Sequence, residues 1–107
     1  MVRAYKVRGA AKMKPPHPGA ILREDVLPAL GVSVTTAVAE LGIPRQTLHT
    51  ILAEKAPVTA EMAIRLGRWC GNGPELWNAL QRDWDLWRAS ERMADVVRRI
   101  PVRRVAA

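Results

Sequence analysis

Five polar side chains fall within six positions: Arg45, Gln46, Thr47, His49 and Thr50. Their types suit the edges of DNA bases. Arginine reaches guanine in bidentate fashion, glutamine reaches adenine, and threonine offers a hydroxyl to either or a methyl to thymine. Placed at about 100° per residue, Arg45, Gln46, His49 and Thr50 share one side of a helix. Pro44, Leu48, Ile51 and Leu52 share the other. Alone, such a polar face is an ordinary solvated helix surface. The residues before it give it a different meaning.

Val34, Ala37, Val38 and Leu41 lie within an arc of roughly 100°, the width of a core-facing stripe. Gly42 tolerates the left-handed conformation found past a helix end. Pro44 suits the first position of a new helix, having no N–H to leave unpaired. Two short amphipathic helices joined by a tight glycine turn make a helix-turn-helix. Its second helix contacts bases mainly through its N-terminal residues. Arg45, Gln46 and Thr47 are therefore expected at base edges, and His49 and Thr50, one turn on, at bases or phosphates. Ser33, Thr35 and Thr36, which open the first helix, and Lys55, after the second, are expected to position the protein on phosphates.

Other chemistries find less support. Two histidines, His17 and His49, and one cysteine, Cys70, have no zinc-motif spacing. Cys70 reads as a buried, inert thiol. The acid pairs Glu24/Asp25 and Asp83/Asp85 lie among helix-surface residues and read as solvated faces, not a general acid and base. Gly71-Asn72-Gly73 lacks the strand and lysine of a phosphate loop. No enzyme, metal or cofactor is expected.

The 107 residues suffice for one domain, and 49% hydrophobic content supports a core. No apolar run approaches the roughly 18 residues of a membrane span. A single cysteine and the lack of an apolar leader fit a reducing cytoplasm. The net charge of +7 suggests a polyanionic partner. Nine of the seventeen cations lie in residues 1–14 and 98–107, which hold no acid, so eight cations face ten acids in the middle. The positive excess sits on two arms. Each arm reads as a solvated tail or a phosphate contact, and residues 1–14 also as a segment ordered by a partner; Val2, Tyr5 and Val7 would also fit a short strand.

The expected division is a basic arm over residues 1–16, a helical domain over 17–97 and a basic tail over 98–107. Pro18 lies near the first turn of helix 1, whose apolar side is Ile21, Leu22 and Val26. Pro28 should end or kink it. Ser33 and Thr59 read as N-caps of helices 2 and 4. Met62, Leu66 and Trp69 form the core stripe of helix 4, and Pro74 starts helix 5. The fold class is all-α, with five helices. Helix 5 carries apolar residues from Leu76 to Val97 over an arc of roughly 200°, twice what one core needs. A second copy of the chain is the simplest cover for the excess, with Trp77, Leu80, Trp84 and Trp87 as interface residues. A small core that absorbs all three tryptophans, or a different protein, are the alternatives.

Four separated blocks, HPGAILREDVLPALGVS (17–33), LGIPRQTL (41–48), VTAEMAIRLGRW (58–69) and PELWNALQRDWDLW (74–87), stand in one order. In them the chain resembles the HigA/VapI-type antitoxins, a branch of the Cro/repressor-like helix-turn-helix (XRE) proteins. The resemblance spans most of His17 to Arg88. One departure is Val38, four residues before the turn glycine, where many such proteins carry alanine; it implies a slightly wider helix pair. The resemblance implies a repressor-like domain that binds double-stranded operator DNA as a homodimer and represses its own operon. It also implies a HigB-like cognate toxin, a RelE-like mRNA endonuclease that the antitoxin silences. A module that binds a toxin without reading DNA, and a stand-alone regulator, remain alternatives.

Overall fold

The computed structural model describes residues 13–105, so the N-terminal arm expected over residues 1–16 lies outside the described residues except at its end. Helix α1 has three parts: an α-helix at Pro18–Ile21, a π-helical turn at Leu22–Val26 and an α-helix at Leu27–Leu30. Helices α2 (Val34–Leu41), α3 (Arg45–Leu52), α4 (Ala60–Cys70), α5 (Pro74–Arg92) and α6 (Ala94–Arg98) follow, with no strand among the described residues.

Pro28 does not end α1. Its missing N–H removes one helical bond and its ring crowds the turn before it, and the turn upstream is wide. There the Leu27 N–H bonds the Leu22 carbonyl, five residues back. The expected caps form: Ser33 Oγ accepts from Thr36 N–H at 3.1 Å, and Thr59 Oγ1 from Met62 N–H at 3.2 Å. Pro44 differs from expectation by one position. It is the extended residue before α3 (φ −64°, ψ 146°), which therefore begins at Arg45 without a side-chain cap.

Leu22, Ala37, Leu41, Leu48, Ile51, Leu52, Val58, Met62, Ala63, Leu66 and Trp77 form one core. Val38 is half-buried against it, and the tightest seat on α2 belongs to Ala37. Two glycines let backbone touch backbone. A Cβ on Gly19 of α1 would lie 1.8 Å from the Ile51 carbonyl oxygen of α3. A Cβ on Gly67 of α4 would lie 2.3 Å from the carbonyl carbon of Gly73, just before α5. The loop into α4 is tied to α5 by buried Gln81, whose Oε1 accepts from Val58 N–H at 2.7 Å.

The long last helix is two helices. Met93 (φ −102°, ψ 11°) breaks it, so the apolar wheel from Leu76 to Val97 joins residues that do not share an axis. The assignment of the tryptophans also changes. Trp77 is fully buried within one chain and Trp84 nearly so, hence neither has a face left for a second copy. Trp84 packs edge-on against His17, ring centroids 5.1 Å apart. Leu80 and Trp87 are half-buried. Every residue from Ser90 to Val105 is exposed.

Candidate nucleic-acid interface

Helix α3 separates its two faces. Leu48, Ile51 and Leu52 are buried, while Arg45, Gln46 and His49 are exposed and Thr47 and Thr50 half-buried. Burying the three aliphatic residues fixes which side of α3 faces water, at roughly 1.5–3 kcal/mol each. The polar row therefore stands outward on a rigid support.

The first turn of α3 is tied to the first turn of α2. Arg45 Nη2 donates to Thr35 Oγ1 at 2.6 Å, which brings these two candidate residues together on one exposed ridge. Ser33 and Thr36 meet at the same end of α2, with Ser33 Oγ donating to Thr36 Oγ1 at 3.2 Å. Thr50 turns its hydroxyl back onto the helix, toward the carbonyls of Gln46 (3.0 Å) and Thr47 (2.9 Å). Its one proton is thereby committed, while the hydroxyl oxygen keeps its lone pairs as acceptors. Lys55 is exposed just beyond the helix end.

Both helices of the pair end on arginines from outside it. Arg65 of α4 donates to the carbonyls of Leu41 (2.7 Å) and Gly42 (3.4 Å), at the turn. Arg23 of α1 donates to the Leu52 carbonyl at 2.6 Å and to the carboxylates of Glu24 (2.8 Å) and Glu54 (3.1 Å). Those bonds, Glu24 first and then Glu54, hold the Arg23 guanidinium more firmly in its charged form. A cation at a helix C-terminus also meets the negative end of the helix dipole.

Cys70 is half-buried, and burial pushes its thiol up, which makes it a poorer nucleophile. Among the described residues, no three histidine, cysteine or acidic side chains gather as a metal site. No helix among them is long and apolar enough to cross a membrane.

No protein-family model matches the chain. Individual relatives do. Virulence-associated protein A′ of Dichelobacter nodosus is 39% identical over 85 residues, covering 78% of this chain and 73% of that protein. The antitoxin HigA of Pseudomonas aeruginosa, solved with the higBA promoter, superimposes with a TM-score of 0.78 at 31% identity, over 81% of this chain and 96% of that one. This chain is a HigA/VapI-type antitoxin family member. A third relative, the antitoxin GraA in complex with its operator, gives a TM-score of 0.79 at 37% identity, over 88% and 95% of the two chains.

Two of these three relatives are named as antitoxins. Within this HigA-type fold, sequence reasoning missed His17 as a cap, Gly19 as a backbone contact, and Arg23 and Arg65 as helix-end donors. Each acts across long sequence separation or through a single contact. The one local signal was Gly19 directly after Pro18, where a helix start seldom needs a glycine.

Proposed function

We propose that this chain is the antitoxin of a toxin–antitoxin pair: a homodimer that binds the operator of its own operon through α3 and also silences a RelE-like mRNA endonuclease toxin. The observation that carries the DNA reading is the outward row Arg45, Gln46 and His49 on a helix whose other face is wholly buried. Relatives with the same fold were solved on operator or promoter DNA. Thr35, joined to Arg45, with Ser33, Thr36 and Lys55 alongside, supplies polar groups for the flanking phosphates. Thr47 and Thr50 complete the base-facing row.

A dimer would bring two copies of α3 to half-sites about 34 Å apart. Its interface is assigned here to the exposed apolar residues Leu86, Met93, Val97 and Ile100, with half-buried Leu80 and Trp87 beside them, in place of the buried tryptophans.

The test is binding of the purified protein to the duplex upstream of its gene. Arg45→Ala and Gln46→Ala should each weaken it by about 1–3 kcal/mol, roughly tenfold to a hundredfold, with melting temperatures unchanged. Wild-type affinity in both folded variants rules out base readout by α3. Co-expression with the product of the adjacent reading frame tests the toxin role. Recovery of a stable complex without any operator shift would favour a protein-binding module instead.

A further inference from the structure

The last turn of α3 is closed carbonyl by carbonyl. Ala53 N–H bonds the His49 carbonyl at 3.0 Å, Lys55 N–H the Thr50 carbonyl at 2.9 Å and Glu54 N–H the Ile51 carbonyl at 2.9 Å. This is a Schellman closure, whose left-handed residue is usually glycine. Here it is Glu54 at φ +63°, the one non-glycine residue with positive φ among the described residues. A side chain in that conformation carries a steric cost, and what Glu54 offers in return is its carboxylate, which accepts from Arg23 Nη2. The remaining carbonyl, that of Leu52, accepts from Arg23 Nη1. Arg23 itself sits in the π-helical turn of α1. The same α1 touches the Ile51 carbonyl through Gly19.

So the base-reading helix is gripped at its far end by α1, through one backbone contact and one arginine fork. Its near end rests on buried Leu48 and carries the bond from Arg45 to Thr35, two exposed side chains that DNA would engage. Resting on the DNA-binding reading above, we propose that Arg23, paired with Glu54, is a positioning residue for operator recognition: it fixes the direction of α3 without touching a base. Bidentate base contacts tolerate little misplacement, whereas phosphate contacts to long flexible side chains tolerate more. Loosening the fork should therefore reduce discrimination before it reduces general DNA binding.

The experiment compares the duplex upstream of the gene with a scrambled duplex of equal length over a salt series, for the full chain carrying Arg23→Gln, Arg23→Lys or Glu54→Asn, with thermal melting measured on the same samples. Arg23→Gln should weaken the upstream duplex roughly tenfold, the scale of one charge-assisted hydrogen bond. It should leave the scrambled duplex and the salt slope as in wild type. Glu54→Asn suits the left-handed conformation, so its melting temperature should hold or rise while its discrimination falls. A purely structural role for the pair cannot give that combination. If Arg23→Gln does not fold, Arg23→Lys decides by the same criteria, because it keeps the charge and loses the fork. Wild-type discrimination in the folded variants overturns the proposal. So does an equal loss on both duplexes with a salt slope shallower by about 0.9, which would make Arg23 a phosphate contact. If the wild-type protein itself does not prefer the upstream duplex, the DNA-binding reading fails and this inference falls with it.

Discussion

Helices α3 and α5 are both amphipathic, and they treat their apolar residues in opposite ways. Helix α3 hides all three of its large aliphatic side chains and offers water only polar ones. Helix α5 hides Trp77, Trp84 and the polar Gln81, and leaves Leu76 and Leu86 about half exposed. The difference follows from size. A tryptophan removes 150–250 Å² from water when buried, so a core this small gains most by enclosing its aromatics. Smaller aliphatic residues on the far side of the same helix stay outside. An aromatic row on a helix thus reports a demand for burial without saying which chain supplies it, and the aliphatic residues left over mark the unfilled face.

The largest effect should come from emptying the enclosed side. Trp77→Ala leaves a cavity in the centre of the core and should cost about 3–5 kcal/mol, much of the stability of a domain this size. Leu86→Ala, at 54% exposure, should stay within about 0.5 kcal/mol. Urea titrations at a protein concentration too low for association would compare the two directly. Similar costs for both would mean that α5 is not divided into a core side and an open side.

A smaller effect should separate the open side from the core by association. Leu86→Glu with Val97→Glu places charge on two residues that are each 54% exposed, where a buried dimer contact could not accept it without a partner. Sedimentation should move toward monomer while the helical circular dichroism is kept. Trp87→Ala, half-buried, should shift it less. Persistence of the wild-type oligomer in the double variant would exclude Leu86 and Val97 from the interface.

Much of the fold was legible because it is written in local spacing. The stripe on α2, the Gly42 turn, the Ser33 and Thr59 caps and the start at Pro74 each depend on residues a few positions apart. The outward face of α3 followed from the same arithmetic. The break at Met93 was hidden because the apolar pattern continues across it, so a wheel drawn from sequence runs through a bend it cannot detect. Pro28 signalled a disturbance but not its form, since ending, kinking and widening all relieve the same crowding. The grip of Arg23 on the end of α3 joins residues 29 positions apart, and nothing in either segment's own pattern requires it.

His17 joins the two regions, and titrating it gives the finest test of how they are coupled. Its ring lies against Trp84 of α5, while its Nδ1 accepts from Gly19 N–H at 2.8 Å and so caps the helix that backs α3. An accepting Nδ1 requires neutral imidazole with its proton on Nε2. Burial lowers the pKa from its ordinary 6.5, against the pull of the Glu54 and Asp85 carboxylates and with the help of Arg23 and Arg88. The unfolded chain then takes up a proton near pH 6.5 that the folded chain refuses until lower pH. Stability from this group is complete above pH 6.5 and declines as the pH falls below it, by no more than about 1.4 kcal/mol per pH unit. His17→Asn keeps a capping acceptor but cannot titrate, so its stability should fall less steeply between pH 6.5 and 5 than that of wild type. Equal slopes for the two proteins would place the acid sensitivity in the carboxylates, and the joint between α5 and α1 would then be a matter of packing alone.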